Sequence, residues 1–128
     1  MIKELSSVNA PAAVGPYSAG IETSASSTVY VSGQLPIDPA TGAFAGEDIA
    51  AQTRQSLTNI GNILAAAGFS MKDVVKTTVL LKNIADFGAM NEVYATFFTE
   101  PFPARAAFQA AALPRDALVE IECVAVKQ

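Results

Sequence analysis

The sequence contains no histidine and a single cysteine, Cys123. The first absence removes Ser–His and Cys–His nucleophilic machinery, imidazole acid–base catalysis and histidine metal sites. The second excludes an intrachain disulfide and a thiolate zinc site within one chain, and it fits a reducing compartment. No block of Lys or Arg occurs, the net charge is −4 and the pI is about 4.6. Neutralisation of phosphates by Lys and Arg supplies nearly all non-specific nucleic-acid affinity, so a nucleic-acid partner is not expected. The glycines (15, 20, 33, 42, 46, 61, 68 and 88) form neither GxGxxG nor GxxxxGK[ST], the common nucleotide cradles. No apolar run is long enough to span a membrane, and Met1–Ile2–Lys3–Glu4–Leu5 lacks the basic and apolar regions of a signal peptide. A cytoplasmic chain without a membrane partner is expected. Any catalysis falls to carboxylates, Arg, Lys, Tyr, hydroxyls, backbone groups and water.

With 128 residues the chain is expected to form a single domain, 1–128, and to bury about two-thirds of its unfolded surface. Hydrophobic residues make up 51% and charged residues only 16%. A small chain has much surface to cover, so the apolar surplus points to subunit contacts and an oligomer. Ser18 to Glu22 and Thr28 to Leu35 read as strands, with the polar run Thr23–Ser27 as a hairpin loop between them. Asp48 suits the N-cap of a helix reaching about Ala67. Ile49, Thr53, Leu57, Ile60, Leu64 and Ala67 share one face of it, Gly68 follows as the C′ residue, and Gly61 suggests close approach to a sheet. Val74 to Leu81 reads as a strand and Asp86 to Phe98 as a second helix. That helix carries a stripe of Phe87, Met90, Asn91, Tyr94 and Phe98, which one polar side chain, Asn91, interrupts. Ala104 to Ala111 and Leu118 to Lys127 complete the strands, with a short first strand at Ile2 to Leu5. The fold class is α+β: a five- or six-stranded mixed sheet with two helices packed on one face and the other face left for neighbouring subunits.

Two charges stand alone in apolar surroundings. Arg105 is the only charge between Pro101 and Leu113, and Glu120 interrupts the run from Leu118 to Val126, with Glu122 two residues on. Burying either costs several kcal/mol (about 3–5) unless it is paired or used. The two could satisfy each other as a buried ion pair, or each could serve a ligand. The pattern also leaves Tyr17 open as a core aromatic, Ser32 as a local backbone partner and Asn91 as a helix-edge amide. Glu122 reads as a subunit-contact or solvated acid.

Gly15–Pro16–Tyr17, Val31–Ser32–Gly33–Gln34–Leu35–Pro36, Val75–Lys76–Thr77–Thr78–Val79, Phe102–Pro103–Ala104–Arg105–Ala106, Leu113–Pro114 and Val119–Glu120–Ile121–Glu122 occur in this order. Taken together they resemble the RidA (YjgF) family of reactive-intermediate deaminases from end to end. The resemblance implies a chorismate-mutase-like fold, a homotrimer with clefts between subunits, and no metal or organic cofactor. It implies hydrolysis of 2-imino acids such as 2-iminobutanoate and 2-iminopropanoate, in equilibrium with enamines, to 2-oxo acids and ammonia. The small 2-imino or 2-oxo carboxylate is then the ligand, and pyridoxal-phosphate-dependent dehydratases are the functional partners that release it. By resemblance Arg105 and Glu120 are catalytic, Arg105 clamping the carboxylate and Glu120 orienting a water. Tyr17, Ser32, Gly33, Asn91, Arg105 and Ala107 are substrate-binding. Ala106 and Ala107 stand where many bacterial members carry serine and cysteine, so position 107 offers a backbone contact and no thiol. Two other readings of the same cleft are a non-catalytic trimeric module, binding small carboxylates or acting as a chaperone, and an endoribonuclease. The acidic pI and the missing histidine disfavour the last.

Overall fold

Period-2 runs of Val, Ile and Thr alternate with two period-3.6 stretches, and this alternation sets the element order. In the computed structural model, which describes residues 1–128, the elements are β1 (Ile2–Leu5), β2 (Gly20–Thr23), β3 (Ser27–Gln34), α1 (Ile49–Ala66), β4 (Val74–Leu81), α2 (Phe87–Phe97), β5 (Ala104–Gln109) and β6 (Val119–Lys127). The main sheet has the order β3-β6-β4-β5. β6 is antiparallel to both of its neighbours, and β5 runs parallel to β4 after the α2 crossover. β1 and β2 form a separate antiparallel pair, so the six strands divide four and two.

This division corrects one expectation. Thr23–Ser27 is not a hairpin loop, because β2 pairs with β1 (Ile2 opposite Thr23) while β3 pairs with β6 (Ser27 opposite Lys127). β6 offers β3 a long partner whose Cys123 and Ala125 continue the buried face of Val29 and Val31. The four residues of β2 cannot match that burial. Of the expected strand Ser18 to Glu22, Ser18 itself makes only an isolated parallel bridge to Ala104.

Both helices cover one face of the main sheet. β6 turns Val119, Ile121, Cys123 and Ala125 toward them, and β4 turns Thr77, Val79 and Leu81. α1 is capped as its sequence requires: the Asp48 Oδ1 accepts from the Ala51 N–H at 2.7 Å. At its other end the Gly68 N–H donates to the Ala65 carbonyl and the Phe69 N–H to the Leu64 carbonyl, with Gly68 at φ 77°. That is a Schellman closure. Ile49, Thr53, Leu57, Ile60 and Leu64 are buried, whereas Ala67 lies at the cap and is exposed. Full burial of each large aliphatic contributes about 1.5–3 kcal/mol. No helix is long and apolar enough to cross a membrane.

Two outcomes follow from the core. Gly61 does not approach the sheet; a Cβ there would meet only the flexible Met71 side chain, at 3.7 Å. Gly61→Ala should therefore raise unfolding free energy by about 0.5–1 kcal/mol, measured by urea denaturation. A loss of stability would contradict the open environment. Burial, reinforced by Glu122, pushes the Cys123 thiol from 9.0 up to about 12. A raised thiol pKa favours the folded state while the thiol stays protonated. That contribution is complete below 9.0 and fades as pH rises toward about 12. Folded protein at pH 8 should resist a disulfide reagent that labels the thiol at once in denaturant, and rapid native-state labelling would contradict the burial.

Candidate active site

Arg105 enters the structure opposite Thr77, in the parallel pairing of β5 with β4. Partners in register share a face, so Arg105 lies on the helix side. There α2 presents Phe87, Asn91 and Tyr94 at helical spacing. The Asn91 Oδ1 accepts from Nη1–H of Arg105 at 2.6 Å. The guanidinium carbon lies 4.8 Å from the Tyr94 ring centre and 5.5 Å from the centres of Tyr17 and Phe87. Three rings thus surround a half-buried cation at cation–π distance. Burial lowers the pKa of Arg105 from its ordinary value, and Tyr94 and Tyr17 oppose that shift. The group is still charged at neutral pH. It has no acidic partner, and the one salt bridge of the chain joins Lys82 and Asp116, at 2.9 Å.

Tyr17 reaches the site because its loop is tied to the start of β5. The Ser18 N–H donates to the Pro103 carbonyl at 3.1 Å and the Ser18 hydroxyl donates to the Phe102 carbonyl. The Tyr17 hydroxyl in turn accepts from the Val14 N–H at 3.3 Å. A Cβ on Gly15 would sit 3.6 Å from the Tyr17 ring and 4.0 Å from Nη2 of Arg105, so the loop passes directly beside the fork. β5 is an edge strand. The Pro103 carbonyl faces outward to Ser18, while the Ala110 N–H faces inward to the Leu81 carbonyl. Alternation along the strand turns the backbone groups of Arg105 and Ala107 to the same outward side; the Arg105 N–H meets Ser18 in the Ser18–Ala104 bridge, and the N–H and C=O of Ala107 lie on the free edge. The Ala107 methyl is turned into the core. Position 107 therefore offers backbone groups beside the guanidinium.

Glu120, Gly33 and Ser32 form a second group elsewhere. Glu120 is opposite Leu80 on β4. Leu80 is three residues from Thr77, so Glu120 faces away from the helices. β4 also lies between β5 and β6, and Arg105 and Glu120 are offset by three residues along it, which separates their backbones by about 14 Å. The pairing of these two charges left open by the sequence is absent. β3 bulges between Val31 and Gln34 where it meets β6, which brings Gly33 under the Glu120 carboxylate. A Cβ on Gly33 would overlap Oε2 and lie 2.9 Å from the carboxyl carbon. Ser32 is exposed and, with Tyr30, Lys76, Thr78, Glu122 and Val124, lines a groove of about 270 Å³ on this open face. Tyr30 is 79% and Phe108 49% exposed there, so the face carries uncovered aromatics among its polar side chains in the single chain.

The structure thus gathers Tyr17, Asn91, Arg105 and the Ala107 backbone on one side, and Ser32, Gly33 and Glu120 on the other. Sequence reasoning missed Phe87, Tyr94 and Thr77 as site residues. The signal was present: Phe87 and Tyr94 flank Asn91 at i−4 and i+3, on the face Asn91 interrupts. No group of three or more Cys, Asp or Glu side chains has metal-binding geometry.

Gly33→Ala should displace the Glu120 carboxylate while leaving the fold intact, because the clash is with the far end of a side chain. The Glu120 carboxyl carbon-13 resonance should move and stability should change by less than about 1 kcal/mol. An unchanged resonance would refute the contact.

The family described as Endoribonuclease L-PSP matches residues 7–127. A Salmonella typhimurium protein named 2-iminobutanoate/2-iminopropanoate deaminase is 49% identical over 131 residues, covering 100% of both chains. The mouse protein of the same name is 48% identical over 125 residues, 98% of this chain and 91% of its own. Among solved structures, the YjgF gene product from E. coli superposes with a TM-score of 0.75 at 45% identity, over 98% of this chain and 99% of that one. E. coli TdcF with bound serine gives a TM-score of 0.75 at 40% identity, with the same coverage. Sequence, architecture and the ordered motifs agree: the chain belongs to the endoribonuclease L-PSP family, also known as the RidA or YjgF family.

Proposed function

We propose that the protein is a cofactor-independent hydrolase acting on C=N bonds, a 2-iminobutanoate/2-iminopropanoate deaminase. The observation that carries the reading is Arg105, a half-buried cation with an amide and three rings around it and no carboxylate of its own. A planar fork in that setting suits the carboxylate of a 2-imino acid. The free-edge amide of Ala107 adds a donor next to it. Water then adds to the imine carbon, the nitrogen takes up a proton, and the C–N bond of the resulting carbinolamine breaks. The products are a 2-oxo acid and ammonia. Glu120 holds and partly deprotonates the attacking water. Positioning of substrate and water supplies most of the acceleration. Relatives named for this activity span nearly the full chain at 46–50% identity, which supports the assignment.

Arg105 and Glu120 face opposite sides of one sheet, so the reading includes a second copy. Glu120 of one protomer meets Arg105 of a neighbour across the open face, in a homotrimer. The small 2-imino carboxylates come from pyridoxal-phosphate-dependent dehydratases acting on threonine or serine, in the cytoplasm.

The test couples threonine dehydratase to excess semicarbazide, which competes for the imine. Added protein should suppress semicarbazone formation, and its failure to do so would sink the reading. Arg105→Ala should lower kcat/KM about 100-fold, the loss of two charge-assisted hydrogen bonds worth about 1.5 kcal/mol each. Glu120→Gln should keep 2-oxobutanoate binding and lose turnover. Refolding these two inactive variants together should restore activity, because mixed oligomers regain complete sites; no recovery would place both residues in one chain's site. Saturable 2-oxobutanoate binding without turnover would favour a non-catalytic binding module. The family's description brings in RNA cleavage as well, and RNA cleavage lost on mutating Glu120 would favour that activity instead.

A further inference from the structure

We infer that Thr77 and Tyr94 are positioning residues for Arg105: their buried hydroxyl pair fixes the Tyr94 ring, and the ring fixes the plane in which the guanidinium meets a carboxylate. The inference rests on the carboxylate-clamp role proposed above for Arg105.

Thr77 and Tyr94 are both 0% exposed. Their hydroxyls lie 2.7 Å apart. Thr77 is the register partner of Arg105 on the neighbouring strand, so one backbone ladder sets both the anchor and the arginine. Tyr94 is the nearest of the three rings to the guanidinium, and the Phe98 ring holds it from another side, with centres 4.6 Å apart. Burial pushes the Tyr94 hydroxyl up to about 12, so it is a neutral partner at working pH.

The pair is not needed for packing alone. A valine and a phenylalanine would fill the same space with no polar groups to satisfy, a replacement that is close to neutral for folding. What the hydroxyl bond adds is orientation. Asn91 holds Arg105 at Nη1 only, and a single tether allows the fork to swing about that point. The anchored ring removes this freedom. A fork already in its binding plane loses less entropy on meeting a carboxylate. The gain applies equally to substrate and transition state, so it belongs in KM rather than kcat.

The experiment compares Thr77→Val, Thr77→Ser, Tyr94→Phe and the Thr77→Val/Tyr94→Phe double variant. Three quantities are read: KM and kcat for imine hydrolysis, Kd for 2-oxobutanoate by calorimetry, and the nitrogen-15 NMR signals of the Arg105 guanidinium. Thr77→Val and Tyr94→Phe should each raise KM and Kd about 5- to 20-fold with kcat within about twofold. The double variant should do no more than either single one, because both remove the same bond. Thr77→Ser should restore wild-type affinity. The guanidinium protons, distinct in the wild type through hindered rotation, should average in the two hydroxyl deletions. A Thr77→Val variant with wild-type Kd and unaveraged signals would overturn the inference, and so would additive effects in the double variant. If the wild type binds 2-oxobutanoate without turning over imine, the deaminase reading fails and Kd decides the positioning role. If it does not bind 2-oxobutanoate either, the clamp role fails and the inference falls with it.

Discussion

A cation held half-buried without an anion is the constraint on which the rest of this structure depends. Placing Arg105 beside a carboxylate of the same chain would be cheaper for folding and would close the fork. The fold instead surrounds it with groups that tolerate positive charge without neutralising it. The Asn91 amide oxygen takes one N–H, and the faces of Tyr17, Phe87 and Tyr94 take the rest of the local field. Each contact is weaker than an ion pair, and an incoming carboxylate can add to them without first displacing a competitor. The lowered pKa of Arg105 has the same origin, because burial acts on a charge that no counter-ion compensates.

Strand order explains why Glu120 leaves this cation alone. β4 lies between β5 and β6, and an odd register offset puts the two side chains on opposite faces. One chain therefore carries a cation under α2 and an acid at the β3 bulge, which are the two half-sites of the proposed assembly. The same face that carries Glu120 exposes Tyr30 and Phe108, a surface that invites burial against another protomer. In the proposed assembly, covering that face and joining the half-sites are one event. Stability and activity then depend on the same contact.

Much of this was legible in the residues. Asp48 and Gly68 marked the ends of α1 within a residue, because capping is local chemistry. A lone arginine among alanines and prolines stood out for a purely energetic reason. The partition of the site did not, since it depends on which strand lies between β5 and β6, and that is decided by long-range burial. The expected β2–β3 hairpin failed for the same reason: Thr23–Ser27 has loop composition, but β6 rather than β2 continues the β3 core face. Tyr94 reads as a core aromatic, and its place three residues after Asn91 is the one sequence signal that it also lies against Arg105.

A chain without histidine has no side chain that titrates near neutrality unless burial or a neighbour moves one there. Burial moves Tyr94 and Cys123 upward, away from neutral pH, and Arg105 downward without discharging it. The distinctive features of this architecture are geometric: a bulge with a glycine that admits the Glu120 carboxylate, an edge strand with a free amide at Ala107, and an arginine boxed by rings. Such a site suits a reaction whose electrophile is already reactive and whose nucleophile is water. For that chemistry, holding a carboxylate in one plane and a water on the correct side of the C=N carbon is most of the task. The side chains that control the plane of Arg105 then matter as much as those that touch the substrate.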